Sequence, residues 1–354
     1  MGDPPPAPTS PRRATAESPR RRRVFIVLAP LLMWGALELV AWMVLRATPP
    51  PAAREHEWLV NARSAMESSF FRPDPHALWV LAPNYRQDPE GDGIYGQVPL
   101  EVNEFGHRSP AVTAQKPSGV RRILILGGSH PFGMWVGTDE VYSAVLERRL
   151  NEAGPHRWEV LNAACPGHTT FQGRQYLAHH GWQFQPDVVL FDLGVNDDLP
   201  LSLEYAAPDH EVGAVPLCAS VATERAGASN VYRLLRRTLA DAPGVGQRGG
   251  TRVPLAERLK NLAAVQEDAR AHGARLLFAS QVSVLNFRGP GRARCNFDPA
   301  DHGFTPEIDV CALFEDRGDA AGTEFVDPVH ATAAGHRRIG DAVFTRLGEL
   351  GWLD

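Results

Sequence analysis

The chain has no surplus of positive charge. Lys and Arg total 36 against 41 Asp and Glu, the formal net charge is -5, and the arginines beyond the N-terminus are dispersed. A nucleic-acid partner is therefore not expected, because the basic stripe that neutralises phosphates is missing. The composition also lacks the bias of a disordered or fibrous chain, with 44% of residues hydrophobic and 22% charged. At 354 residues, that balance describes a globular protein with one large core or two modest ones. Metal-ligand spacing is missing too. His179 and His180 have no companions at such spacing, and Asp192, Asp197 and Asp198 read as solvated acids at a strand end, so neither a metal nor a cofactor is expected.

Long apolar runs are scarce, and the exception lies near the N-terminus. Residues 2 to 19 hold mostly Pro, Ser, Thr, Ala and Arg, which cannot offset the entropy of ordering, so residues 1 to 23 are expected to form a disordered basic tail. Arg20 to Arg23 then precede VFIVLAPLLMWGALELVAWMVL, the 22 residues from Val24 to Leu45, in which Glu38 is the only charge. A helix of that length crosses the roughly 30 Å hydrocarbon core of a bilayer. The arginines on its N-terminal flank keep that end cytoplasmic and place the rest of the chain across the membrane, in the periplasm or at the cell surface. A cleaved signal peptide is the rival reading, with RATPPPAA as its small-residue site. Glu38 either faces a partner helix, is protonated, or is simply carried by an apolar segment.

Residues 46 to 58 read as a stiff, Pro-rich linker, and residues 59 to 119 as an irregular or β-rich lead-in packed on the main domain. From Val120 the pattern turns regular. RRILILGG, WEVLNAACPG, PDVVLFDLGVND and ARLLFAS read as strands. VYSAVLERRLNEAG, FQGRQYLAHHGWQF, LAERLKNLAAVQEDARAHG and TAAGHRRIGDAVFTRLGEL read as helices, the first and third closed by Gly154 and Gly273. Strands alternating with helices imply an α/β fold, with a mostly parallel sheet covered on both faces. The domain is expected over 120 to 354, interrupted by Gly/Pro-rich insertions at about 200 to 252 and 286 to 323, where substrate selection should reside.

In such sheets the site lies outside the carboxyl ends of the strands, and Ser129, Gly167 and Asn196 all follow such ends. Gly127 and Gly128 permit a tight turn that presents the Ser129 hydroxyl. A serine hydroxyl needs a base, and the base an orienting group; FVDPVHATAAGH supplies both, with Asp327 three residues before His330. Each piece alone has a plainer reading: GGS as a strand-to-helix turn, DPVH as a capped helix start, Asn196 as a turn residue.

Together, GGSHPFG at 127 to 133, NAACPGHTTFQ at 162 to 172, LGVND at 193 to 197 and DPVHATAAGH at 327 to 336 resemble the four ordered blocks of the SGNH, or GDSL-type, serine hydrolases. The resemblance covers about residues 120 to 350 and implies a three-layer α/β/α sandwich of flavodoxin-like type, preceded here by the transmembrane helix. It implies Ser129 as nucleophile, His330 as base with Asp327 orienting it, and an oxyanion hole made by the Ser129 and Gly167 amides and the Asn196 side chain. NEFGHR at 103 to 108 resembles a short Asn, Gly and Arg motif of membrane-anchored relatives. The chain departs from the pattern where Gly128 replaces an acid and where His130 follows the serine. His130 and His168 read as wall residues, and His336 as a wall or helix-surface residue.

The activity implied is that of a membrane-anchored serine esterase acting on O-acyl carbohydrate or a small ester. The alternatives are an O-acyltransferase and a catalytically silent glycan-binding envelope module. Of the four cysteines, Cys295 and Cys311 would close a short loop worth ~3 kcal/mol, and Cys165, Cys218, Cys295 and Cys311 allow three complete connectivities.

Overall fold

The computed structural model describes residues 19–47, 70–87, 98–199, 209–210, 229–231, 234–235, 250–285, 292–295, 306–315 and 321–353. The expected N-terminal tail up to residue 18, most of the linker, the start of the lead-in and most of both insertions, Cys218 among them, lie outside the described residues. The chain divides into two compact units, Met1–Pro50 with Arg225–Leu239, and Pro51–Glu224 with Ala240–Asp354.

The first unit is built on helix α1 (Pro19–Ala47), 29 residues long, which extends past the expected span at both ends. Its 20-residue stretch Leu28–Ala47, of mean hydropathy 1.8, is long and apolar enough to cross a membrane. Leu31, Leu32, Met33 and Trp34 are exposed along it. Within this unit the Glu38 carboxylate accepts hydrogen bonds from the Ser229 hydroxyl and the Asn230 N–H, so the helix's one acid is paired.

The second unit opens with two short antiparallel hairpins, β1 (Phe71–Asp74) with β2 (Leu78–Leu81) and β3 (Arg86–Gln87) with β4 (Leu100–Glu101). Four parallel strands follow, β5 (Val120–Gly127), β6 (Arg157–Asn162), β7 (Val188–Asp192) and β8 (Arg275–Phe278), in the order β6-β5-β7-β8. The chain moves from β5 to one neighbour, then returns to its other side. That reversal makes the crevice beyond β5 and β7 the natural ligand position of an open α/β sheet.

The strands are apolar throughout because both faces are covered, and the period of two sorts their side chains. Ile123 and Ile125 of β5 face a core shared with Leu146 and Leu150 of α3 (Tyr142–Ala153) and Ile339 and Val343 of the last helix. Leu124 and Leu126 face the opposite core, shared with Tyr176 of α4 (Thr170–Tyr176) and Leu262 and Val265 of α5 (Leu255–Ala271). The last helix, α6 (Ala333–Glu349), starts at Thr332, whose hydroxyl accepts the Gly335 N–H. The result is a three-layer α/β/α sandwich.

A third apolar cluster joins the lead-in to the sheet's carboxyl end, uniting Phe70, Leu78, Trp79 and Val102 with Phe132, Met134 and Cys165. Cys165 is a buried free thiol, held there well above its ordinary pKa by burial, whereas Cys311 is disulfide-bonded. Each of the three complete cysteine connectivities would use Cys165, so all three are excluded.

Candidate active site

β5 ends at Gly127, and after Gly128 the chain enters a single helical turn, α2 (Ser129–Phe132), with Ser129 in first place. Because it opens the turn, the Ser129 N–H has no intrahelical acceptor. The Ser129 Oγ lies 2.8 Å from His330 Nε2, and His330 Nδ1 lies 2.5 Å from Asp327 Oδ2. The loop carrying the last two is closed by Val326 donating to the His330 carbonyl at 2.8 Å. The other Asp327 oxygen accepts the Val329 and His330 N–H groups, each at 2.8 Å. Burial pushes the Asp327 carboxyl up, but the His330 ring and these two amides outweigh it and hold the group below the ordinary carboxylate range. An ionised carboxylate accepts the Nδ1 proton, which leaves Nε2 as the acceptor facing the serine.

Gly167 follows β6 in a left-handed conformation, φ +80°, that glycine adopts freely, and a Cβ there would stand 3.1 Å from Trp79 Cζ2. Asn196, after β7, ties the loops together. Its Nδ2 donates to the His168 carbonyl at 2.9 Å and would stand only 2.8 Å from a Cβ at position 128. The glycine found where the resemblance leads one to expect an acid thus makes room for the Asn196 amide. The structure therefore gathers Ser129, His330 and Asp327 into one hydrogen-bonded chain, and joins the Ser129, Gly167 and Asn196 loops beside it.

Several supports escaped the sequence reading. The Arg108 guanidinium, buried and pulled down to about 10 by that burial, donates to the carbonyls of Phe132, Gly133 and Val136, the turn directly after the serine. This arginine closes the NEFGHR stretch. Arg252 and Asp209, both wholly buried, pair at 3.1 Å beneath the Gly167 loop. The lead-in residue Trp79 packs against the same loop.

Three expectations are corrected. Asp192 and Asp197 are not solvated but buried, because partners from distant elements meet them. Asp192 accepts the Tyr142 hydroxyl at 3.2 Å and the Gln281 amide at 2.9 Å. Asp197 accepts Thr170 Oγ1 at 2.7 Å and Arg258 Nε at 2.9 Å, and burial raises it to about 6 although both partners pull it down. His336 is not on the helix surface; it lies buried beside Tyr142, whose N–H points at its Nδ1 from 3.3 Å, and burial holds it well below the usual imidazole range. His168 is a buried wall residue, its Nε2 2.8 Å from the Trp79 carbonyl.

Fold and site together define a hydrolase-type centre on an α/β/α sandwich, with a serine, a histidine and an aspartate in one hydrogen-bonded chain. The chain belongs to the GDSL-like lipase/acylhydrolase family, whose model matches residues 125–338. No curated protein matches the chain in sequence. Among solved structures it is similar to TesA, at 18% identity and a TM-score of 0.40, over 65% of this chain and 99% of that one. It is also similar to the psychrotrophic esterase EstA from Pseudoalteromonas sp., at 15% identity and a TM-score of 0.39, over 65% and 98% of the two chains. A third is the acetylxylan esterase Axe2 from Geobacillus stearothermophilus, at 15% identity and a TM-score of 0.38, over 64% and 94%. The protein is an ester-bond hydrolase.

Proposed function

We propose that the chain is a membrane-anchored serine esterase that works through an acyl-enzyme, with O-acyl groups on carbohydrate as the substrate class. The observation that carries the mechanism is the unbroken hydrogen-bond chain from Ser129 Oγ through His330 to Asp327. In this reading the Ser129 oxygen attacks the ester carbonyl carbon while its proton passes to His330 Nε2. The Ser129 N–H, the Gly167 N–H and the Asn196 amide stabilise the oxyanion. His330 then hands the proton to the departing alkoxide as the carbon–oxygen bond breaks, and water repeats the sequence to free the acid and restore Ser129. Ser129, Asp327 and His330 each keep part of their surface exposed, which supports a serine oxygen reached by substrate from solvent.

The anchor reading rests on α1, whose exposed apolar side chains favour lipid over water, and on Arg20 to Arg23 before it. The Cys311 disulfide supports an oxidising compartment for the body that follows, with the hydrolase domain taken as 120 to 354. The deciding experiment is labelling of the full chain with a fluorophosphonate probe. Label on the native chain and none on Ser129→Ala is expected; equal labelling of both removes Ser129 as nucleophile.

A further inference from the structure

The four backbone carbonyls of the loop from Cys165 to His168 each accept a hydrogen bond from within the protein. The Cys165 carbonyl takes the His168 N–H at 3.0 Å, closing the turn. The Pro166 carbonyl takes the Trp79 indole Nε1–H at 3.2 Å, the Gly167 carbonyl takes Arg252 Nη1 at 2.8 Å, and the His168 carbonyl takes Asn196 Nδ2 at 2.9 Å. Among the described residues, none accepts the Gly167 N–H.

The Pro166 carbonyl and the Gly167 N–H belong to one peptide group. In a trans peptide they point in opposite directions within one plane, so a donor that captures the oxygen aims the N–H. It also draws electron density toward that oxygen, which makes the N–H a stronger donor, as in any hydrogen-bonded chain. The buried Arg252 cation lies 5.4 Å from the centre of the Trp79 ring, over its face, and so holds the indole in register while fixing the next peptide itself.

We propose that Trp79 is a positioning residue for the oxyanion hole, its indole N–H orienting and polarising the Pro166–Gly167 peptide so that the Gly167 N–H meets the charge developing on the substrate oxygen. This rests on the esterase reading above. It assigns a part in the rate to a lead-in residue outside the matched segment 125–338.

The test compares the native full chain in detergent with Trp79→Phe, and with a variant carrying benzothienylalanine at 79, in which sulfur replaces the indole N–H without change of shape. The ester probe is p-nitrophenyl acetate. A fall in kcat of about 10-fold is expected for both, smaller than the loss of a direct oxyanion donor, with KM unchanged. Phenylboronic acid, which forms a tetrahedral adduct on a serine oxygen, should bind about 10-fold more weakly to both variants. Unchanged kcat in the benzothienylalanine variant overturns the proposal, as does a loss confined to KM or to melting temperature in both. If Trp79→Phe fails to fold, the isosteric variant decides alone. Failure of the esterase reading itself registers separately, as a native chain that takes no fluorophosphonate at Ser129.

Discussion

Asn196 Nδ2 lies 2.8 Å from the point where a side chain at Gly128 would begin, so the amide rests against the backbone that carries the serine. If that amide donates to oxygen charge present only in the transition state, Asn196→Ala lowers kcat by roughly 10²- to 10³-fold with little change in KM. Gly128→Ala should act the same way with smaller effect, by displacing the amide rather than deleting it. Steady-state kinetics beside melting curves check both; a stable Asn196→Ala with native kcat removes the residue from the oxyanion hole.

If Asp327 and His330 act in series on the Ser129 oxygen, their substitutions should rank accordingly. His330→Ala removes the proton acceptor, and a loss of at least about 10³-fold in kcat is expected. Asp327→Asn keeps an oxygen for the loop amides but not the charge that holds the Nδ1 proton, so its loss should be smaller. Native activity in Asp327→Asn would move the orienting task to another group.

Acid should unfold the protein early. Burial holds His168 down to about 4 and His107 down to about 3, with His336 well below its ordinary value. The folded state therefore binds fewer protons than the unfolded chain below about pH 6.5, and the stability these neutral rings contribute is lost as pH falls toward 4. For His168 alone this is on the order of 3 kcal/mol by pH 4. Asp197, raised to about 6, and Glu147, raised by burial, work in the opposite direction, while the lowered Asp74 and Asp327 add to the loss. Urea midpoints at pH 7 and pH 5 test the sum, and a higher midpoint at pH 5 contradicts it.

A reporter fused after Asp354 should be active only if it works outside the cytoplasm. The protein should stay with membranes through a high-salt wash, since apolar burial and not screened charge holds a spanning helix. Appearance of a shortened, soluble form would favour a cleaved signal.

The sandwich was legible because its strands and helices are locally encoded. β5 is an apolar run stopped by glycines, and α3 repeats Tyr142, Val145, Leu146 and Leu150 at helical spacing. Ser129, Asp327 and His330 stood out because their neighbours form short, ordered patterns. What escaped was everything that depends on distant pairing. Trp79 meets Pro166 across 87 positions, and Arg252 meets Gln172 across 80. Neither has a local pattern, and a lone arginine in a Gly-rich stretch reads as surface. Asp192 and Asp197 were misread for the same cause: an acid is buried only when partners arrive, and theirs come from α3, α4, α5 and the segment after β8.

Arg108 and the lead-in hairpins precede the segment that defines the family, yet they hold the turn bearing Ser129. On the serine-esterase reading, the reacting groups and their scaffolding thus come from different stretches of chain. A graft of residues 125–338 onto another leader would carry the oxygen, ring and carboxylate but leave the inner wall behind. Conversely, if Trp79 positions the oxyanion hole, changes confined to residues 70 to 87 should retune the catalyst while all four motif blocks stay the same.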